Sequence, residues 1–347
     1  MLRQVYIIKD SKFLYERFIG KGINRDALNQ FFSELKQDLL LGTADKIGNH
    51  VYYKYRISYI YEENLNLYII IVTGLADEIK MIYRELNKLK KDFLGDFGDL
   101  ITENKMDEAL LDLFHPRIDK LQKNLGAKIS LVGFSGVGKT TITKLIREQE
   151  IPMVHEPTIT GKMAIIKIGK LHFSLWDFAG QEQFSYIWNN FIESSDAVLI
   201  ITDSTLENVE KSKYFLELIK SEVPYAKAAV IGNKQDLPEA MDIEEIENHL
   251  HLKTYSMIAI DPENRSKMIQ IISDVLELNK EISPLLKPLF ERDQLIEEAQ
   301  HALEKGNFAK SLEKFEKIVD VCLELGDDNL SREFNKRAEK IRNVLNK

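Results

Sequence analysis

Three hydrophobic patterns divide this chain: short alternating or continuous apolar blocks, helical stripes, and a helix-only tail. Residues 4–9 (QVYIIK) and 13–19 (FLYERFI) are β-rich runs on either side of Asp10–Ser11–Lys12, which predicts a hairpin. Leu28, Phe31, Phe32, Leu35 and Leu39 then recur at helical spacing between Arg25 and Leu40, with Asn24 placed as the N-cap. Two more β-rich runs, 51–61 (VYYKYRISYIY) and 66–73 (NLYIIIVT), precede a helical stripe through Ile79, Ile82, Leu86 and Leu89. The predicted order is ββαββα, an α+β domain over residues 1–96, closed by Gly95, Gly98 and the acidic residues around them. Over 97–125, Met106, Ala109, Leu110, Leu113 and Phe114 line one face of a connecting helix that Pro116 is expected to end or kink.

The block KISLV at 128–132 reads as a buried strand and leads directly into GFSGVGKT at 133–140, which fits the P-loop pattern G-x-x-x-x-G-K-[ST] in its strand–loop–helix setting. Gly133, Gly136 and Gly138 let the backbone turn tightly, so that successive N–H groups and a helix N-terminus face phosphate oxygens. Lys139 is suited to neutralise the β- and γ-phosphates, and the Thr140 hydroxyl to ligate Mg²⁺. Downstream, the β-rich LHFSLW (171–176) ends in DFAGQE (177–182), a buried strand follows at 197–202, and NKQD stands at 233–236. Asp236 is placed to accept both N1–H and N2–H of guanine, a pair that adenine does not offer, so GTP is favoured over ATP.

With these motifs in this order, residues 126–280 resemble the Ras-superfamily small GTPases; WDFAGQE is close to the Rab pattern and HEPTIT (155–160) is closer to Arf. The resemblance implies an α/β P-loop fold with a mostly parallel sheet flanked by helices. It also implies a GTP/GDP site built from Ser135, Gly136, Val137, Gly138, Lys139, Thr140 and Thr141, with Thr158, Gly180, Asn233, Lys234, Asp236 and Ala259. Thr140, Thr158 and, through water, Asp177 would hold Mg²⁺; Thr160 is an alternative to Thr158. Lys139, Thr158 and Gln181 would serve hydrolysis, with Gln181 orienting the attacking water. Asn233 would tie its loop to the P-loop, and Lys234 would lie over the base. Ile258–Ala259–Ile260 aligns with the last guanine-contacting segment of the family.

Residues 1–96 are similar in element order and pattern to a longin domain, with the roadblock fold a rival; either implies a protein-interaction platform and a homodimer as one use of it. Pro284 and Pro288 separate the GTPase from 281–347, where Gly306, Phe308, Ser311, Phe315 and Ile318 follow tetratricopeptide-like spacing. That three-helix tail also resembles an MIT domain. The resemblances together imply a GTPase switch with activating, exchange and effector proteins as partners, in trafficking or polarity control. The alternative is a GTP-dependent assembly protein that barely hydrolyses.

Composition narrows the partners. At 347 residues, 44% hydrophobic and 29% charged, the chain is long enough for two or three folded domains. A net charge of −8 argues against nucleic acid, which recruits clustered Lys and Arg. One cysteine, Cys322, in an apolar stripe reads as a buried hydrophobe and suits a reducing cytoplasm. No apolar run reaches the roughly 18 residues of a membrane span, and neither a secretory signal, a Gly at position 2 nor a C-terminal prenylation cysteine is present. Cytoplasmic residence, peripheral to membranes through partners, is the expectation.

Overall fold

The first hairpin forms around a two-residue turn in which Asp10 (φ 48°) and Ser11 (φ 66°) are both left-handed, the conformation that matches the right-handed twist of paired strands. It joins β1 (Leu2–Lys9) to β2 (Lys12–Phe18). The computed structural model describes residues 1–102, 108–147, 164–168, 171–175, 192–279 and 283–345. These divide into two compact units, Met1–Gly126 with Glu277–Pro284, and Ala127–Leu276 with Leu285–Lys347.

In the first unit, Asn24 caps α1 (Arg25–Leu41) by accepting from the Ala27 amide at 2.9 Å. The run 51–61, expected as one strand, is instead split between β3 (Ile47–Tyr52) and β4 (Tyr55–Glu62). Tyr52 pairs with Tyr55 across a turn in which Tyr53 takes φ 52° and is 83% exposed. No Gly, Asn or Pro marks that turn, so the observed order becomes ββαβββα. With β5 (Leu67–Gly74) the strands form an antiparallel sheet ordered β2-β1-β5-β4-β3. Tyr6, Ile8, Ile57, Tyr59, Ile70 and Val72 share the face that packs on Leu28, Phe32 and Leu35 of α1. This architecture is compatible with a longin-like domain.

α2 (Ile79–Thr102) and α3 (His115–Leu125) belong to the same unit. The expected boundary at Gly95 and Gly98 is not observed: α2 runs through both. Phe97 and Ile101 extend the buried stripe of Ile82, Leu86, Leu89 and Phe93. Burying two such side chains is worth about 1.5–3 kcal/mol each, against about 1 kcal/mol lost per helical glycine. Pro116 also acts opposite to expectation. It stands in the first turn of α3, where its missing N–H is no loss, and starts a helix. Phe114 is buried edge-on against Tyr15 and Phe93, whereas Leu113, expected on the same buried face, is 69% exposed. Met106 lies outside the described residues.

Residues 277–284 also belong to this unit. Lys21 N–H donates to Glu277 O (3.0 Å), Asn279 N–H donates to Ile19 O (2.9 Å), and the buried Gln122 amide donates to Ser283 Oγ (3.2 Å). These contacts group 277–284 with the first unit, while the domain boundaries expected from the sequence fall after 96, 125 and 280.

The second unit carries β6 (Ala127–Val132), α4 (Lys139–Arg147), β7 (Ala164–Ile168), β8 (Leu171–Leu175), β9 (Ala197–Thr202), α5 (Leu206–Glu222), β10 (Lys227–Gly232), α6 (Ile243–Leu250), β11 (Thr254–Ser256) and α7 (Arg265–Leu276). Its sheet is ordered β11-β10-β9-β6-β8-β7 and is parallel except for the β7–β8 hairpin. Val198, Ile200 and Val230 pack against Val209, Phe215 and Ile219 of α5 and Ile246 of α6. Continuous apolar strands are what a doubly covered parallel sheet requires. Three further helices follow, α8 (Lys287–Glu304), α9 (Phe308–Leu325) and α10 (Asp328–Leu345), around Ala299, Phe315, Ile318, Cys322, Phe334 and Ala338. Cys322 is buried and free. Gly306 makes the α8–α9 turn at φ 69°, and Ser311 lets the two helices approach closely enough for its hydroxyl to reach Ala299 O at 3.2 Å.

Burial pushes the phenols of Tyr6, Tyr15 and Tyr68 in the first unit up from 10.0 to about 12. Folding therefore holds their protons more tightly than the unfolded chain does. This contribution to stability is complete below about pH 10 and is lost as pH rises toward 12. Denaturant unfolding across that range, with tyrosinate absorbance on the same samples, should show stability falling only above pH 10.

Candidate nucleotide site

β6 delivers the chain into the loop 133–138 with backbone that few side chains tolerate. Gly136 and Gly138 take φ 82° and 105°. A Cβ on Gly138 would lie 2.3 Å from Asn233 Nδ2, and one on Gly133 2.3 Å from Ile201 O. Both glycines are thus demanded by close approach of neighbouring elements as well as by conformation. Lys139, only 5% exposed, folds back so that Nζ donates to Gly133 O (2.8 Å) and Phe134 O (2.7 Å). The ammonium is thereby held against the first two residues of the loop. Val137 is buried, Ser135 and Thr140 are exposed, and Gly136 and Thr141 are half-buried. Thr140 thus presents itself at the start of α4, while its carbonyl accepts from Thr143 Oγ1 at 2.8 Å.

Asn233, at the end of β10, joins three segments. Its Nδ2 donates to Val137 O in the P-loop (2.8 Å), and its Oδ1 accepts from the Ala259 amide (3.0 Å). Its own N–H donates to Thr202 O at 2.9 Å. A buried carboxamide that satisfies both its ends on backbone groups is an orienting device, because losing either partner leaves a desolvated polar atom. Lys234 follows in the left-handed region (φ 61°), and Asp236 stands exposed beyond it. Val137 of the P-loop, Asn233 and Ala259 are thereby joined at the carboxyl ends of β6, β10 and β11, where open α/β sheets bind ligands, and Lys234 and Asp236 follow Asn233 directly in the chain. Thr158, Asp177, Gly180 and Gln181 lie outside the described residues.

Sequence reasoning missed the support beneath this loop. Ser204, fully buried at φ 68°, donates to Asn233 O (2.6 Å) and accepts from Gln235 Nε2 (2.8 Å), which also reaches Met241 O (3.2 Å). Thr205 beside it caps α5 through the Asn208 amide. The cluster Asp203–Ser204–Thr205 after a buried strand was the available signal.

The profile of the ADP-ribosylation factor family matches residues 114–289, about half of the chain. The chain belongs to the ADP-ribosylation factor family. It is 32% identical over 135 residues to ADP-ribosylation factor-like protein 2 of Dictyostelium discoideum, covering 38% of this chain and 73% of that protein. It is 30% identical over 146 residues to ADP-ribosylation factor-like protein 5A of Homo sapiens, covering 41% and 80%. The choice between Arf-like and Rab-like patterns is thereby made in favour of Arf. Arf-family GTPases bind GTP or GDP with Mg²⁺, hydrolyse GTP, and work with activating, exchange and effector proteins. The family match supports a molecular switch and lends nothing to the assembly alternative. Among the described residues, no helix is long and apolar enough to cross a membrane.

The geometry fits a nucleotide: a loop whose glycines leave no room for a Cβ, a lysine tethered within it, and a carboxamide linking it to the two loops that would meet the base. Gly138→Ala should push the Asn233 amide off Val137 O and impose left-handed strain of about 1–3 kcal/mol. GDP affinity, measured by calorimetry, should fall at least about tenfold while circular dichroism is unchanged.

Proposed function

We propose that the chain is a slow GTP-hydrolysing switch of the trafficking type, in which the second unit turns over nucleotide and the first unit and the helices α8–α10 recruit partners. The observation that supports this most directly is the Asn233 bridge. It ties the P-loop, the NKQD loop and Ala259 together through one side chain, an arrangement that suits a ligand gripped by all three. On this reading Asp236 accepts guanine N1–H and N2–H, the Lys234 stem covers the ring, and the segment 258–260 lies along the base edge, with the Ala259 N–H itself engaged by Asn233 Oδ1. The amides of residues 135–141 and Lys139 hold the phosphates. Bound Mg²⁺ would supply charge neutralisation across the β- and γ-phosphates. Thr140 and Thr158 would ligate it, Asp177 would reach it through water, and Gly180 N–H would sense the γ-phosphate. Gln181 would orient the attacking water.

Slow turnover follows from a missing cation. Residues 148–160 contain no arginine, and Arg147 is the last residue of α4, the far end of a nine-residue helix from Lys139. A helix of that length spans about 13 Å. An activating protein that inserts an arginine would raise the rate by about 10³–10⁵-fold. The first unit, with its antiparallel sheet and flanking helices, is read as a longin-like platform, and the α8–α9 hairpin with α10 as a tetratricopeptide- or MIT-like module. Peripheral membrane residence through such partners is part of the same proposal.

Two measurements test the site. Asp236→Asn replaces an acceptor pair with one neutral acceptor and one donor that faces guanine N2–H, so GTP should lose at least one charge-assisted hydrogen bond, about 1.5–3 kcal/mol. Xanthosine triphosphate, whose C2 carbonyl suits the new amide, should bind better than to the unaltered chain; unchanged GTP affinity would remove Asp236 from the site. In single-turnover assays Gln181→Leu should slow hydrolysis by about 10²-fold without weakening GTP binding, and an unaltered rate would remove its role.

A further inference from the structure

Arg292, in the first turns of α8, is the largest fully buried side chain of the described residues and is 0% exposed. A guanidinium is rarely taken out of water without specific partners, because desolvating it is expensive. Its Nε donates to Asp293 Oδ1 at 3.1 Å, and its Nη2 donates to Ile146 O at 3.0 Å. Ile146 is in the last turn of α4, the helix that begins at Lys139. The other oxygen of Asp293, Oδ2, accepts from Arg265 Nε at 3.2 Å, and Arg265 is the first residue of α7. Two cations thus share one carboxylate. Arg292 is set against a carbonyl in the last turn of α4, where the helix dipole concentrates negative charge.

The residues at the other ends of these contacts are the nucleotide loops. α4 opens directly from the P-loop. α7 follows the segment holding Ala259, and Asn264, beside Arg265, reaches back to Ile258 O at 3.3 Å. Asn233 joins the P-loop and Ala259 on the nucleotide side, while Arg292 and Asp293 join α4 and α7 on the far side. The two bridges close a ring: Val137, α4, Ile146, Arg292, Asp293, Arg265, Asn264, Ile258, Ala259, Asn233. Only the far bridge comes from outside the nucleotide-binding fold.

We propose that α8 is an intramolecular brace on the nucleotide site, and that Arg292 is a positioning residue that sets how long bound nucleotide is retained. By holding the end of α4 and the start of α7 in one spacing, it restrains the relative movement of the P-loop and the Ala259 segment that release of a nucleotide gripped by both requires. The helices α8–α10 are then a control input to exchange as well as a recruiting module. This rests on the reading that those two loops hold the nucleotide.

The test uses the full chain loaded with fluorescent GDP and chased with excess unlabelled GDP. Arg292→Met keeps bulk but removes both hydrogen bonds, and Arg292→Lys keeps the charge without the fork. Phe334→Ala empties the core of the same helices without touching α4 or α7 and serves as the stability control. GDP release is expected to accelerate about tenfold in Arg292→Met, within the usual range for linked sites, and less in Arg292→Lys. Phe334→Ala should leave the rate within about twofold despite a lowered melting temperature. Unchanged release in Arg292→Met, or acceleration that tracks melting temperature equally in Phe334→Ala, would overturn the brace. If Arg292→Met does not fold, Arg292→Lys decides by the same comparison. Failure of the unaltered chain to bind GDP would instead overturn the nucleotide reading, and the brace with it.

Discussion

The second unit depends on the side chain of Asn233. Parallel strands deliver loops to one edge of a sheet, yet nothing in strand pairing fixes one loop against another. A single carboxamide does so here, donating to Val137 O and accepting from Ala259 N–H. Its geometry explains several otherwise separate features. Gly138 must be glycine because the amide nitrogen occupies the place of its Cβ. Ser204 and Gln235 are buried or half-buried polar residues because they hold the backbone on which the amide stands. The arrangement is costly to disturb, since each buried partner left unpaired loses about 1–3 kcal/mol.

Parts of this were legible because their cause is local. The P-loop and NKQD are short runs in which spacing itself carries the chemistry, and β6 and β9 are continuous apolar blocks that only a doubly covered strand explains. Asn24 reads as a cap from its position alone. Other parts were hidden. Tyr53 turns a hairpin with no turn residue to announce it. Gly95 and Gly98 read as a boundary, yet Phe97 and Ile101 are held by packing that no local pattern reveals. Nothing in the local pattern marks Arg292, whose partner Ile146 lies far back along the chain.

Charge is used in two ways in both units. Pairs such as Arg117–Asp96 in the first and Lys211–Glu207 in the second lie at the surface at modest net gain. Others, Met1–Asp77 in the first and Arg265, Asp293 and Arg292 in the second, are largely withdrawn from water, where a pair contributes little to net stability yet tolerates few alternative arrangements. Specific placement, rather than added stability, is what such a cluster offers.

The short return of the chain over 277–284 has a consequence for how the protein is made. Ile19 and Lys21 find their backbone partners at Asn279 and Glu277, so the first unit is discontinuous and the whole nucleotide-binding fold is spliced into it. A ribosome that has finished residue 126 has supplied most of that unit but not the segment that closes it. Residues 127–276 must be threaded out first. Synthesis therefore imposes an order in which the amino-terminal unit waits, partly open, for the domain that interrupts it, and completion of the former reports that the latter has been made.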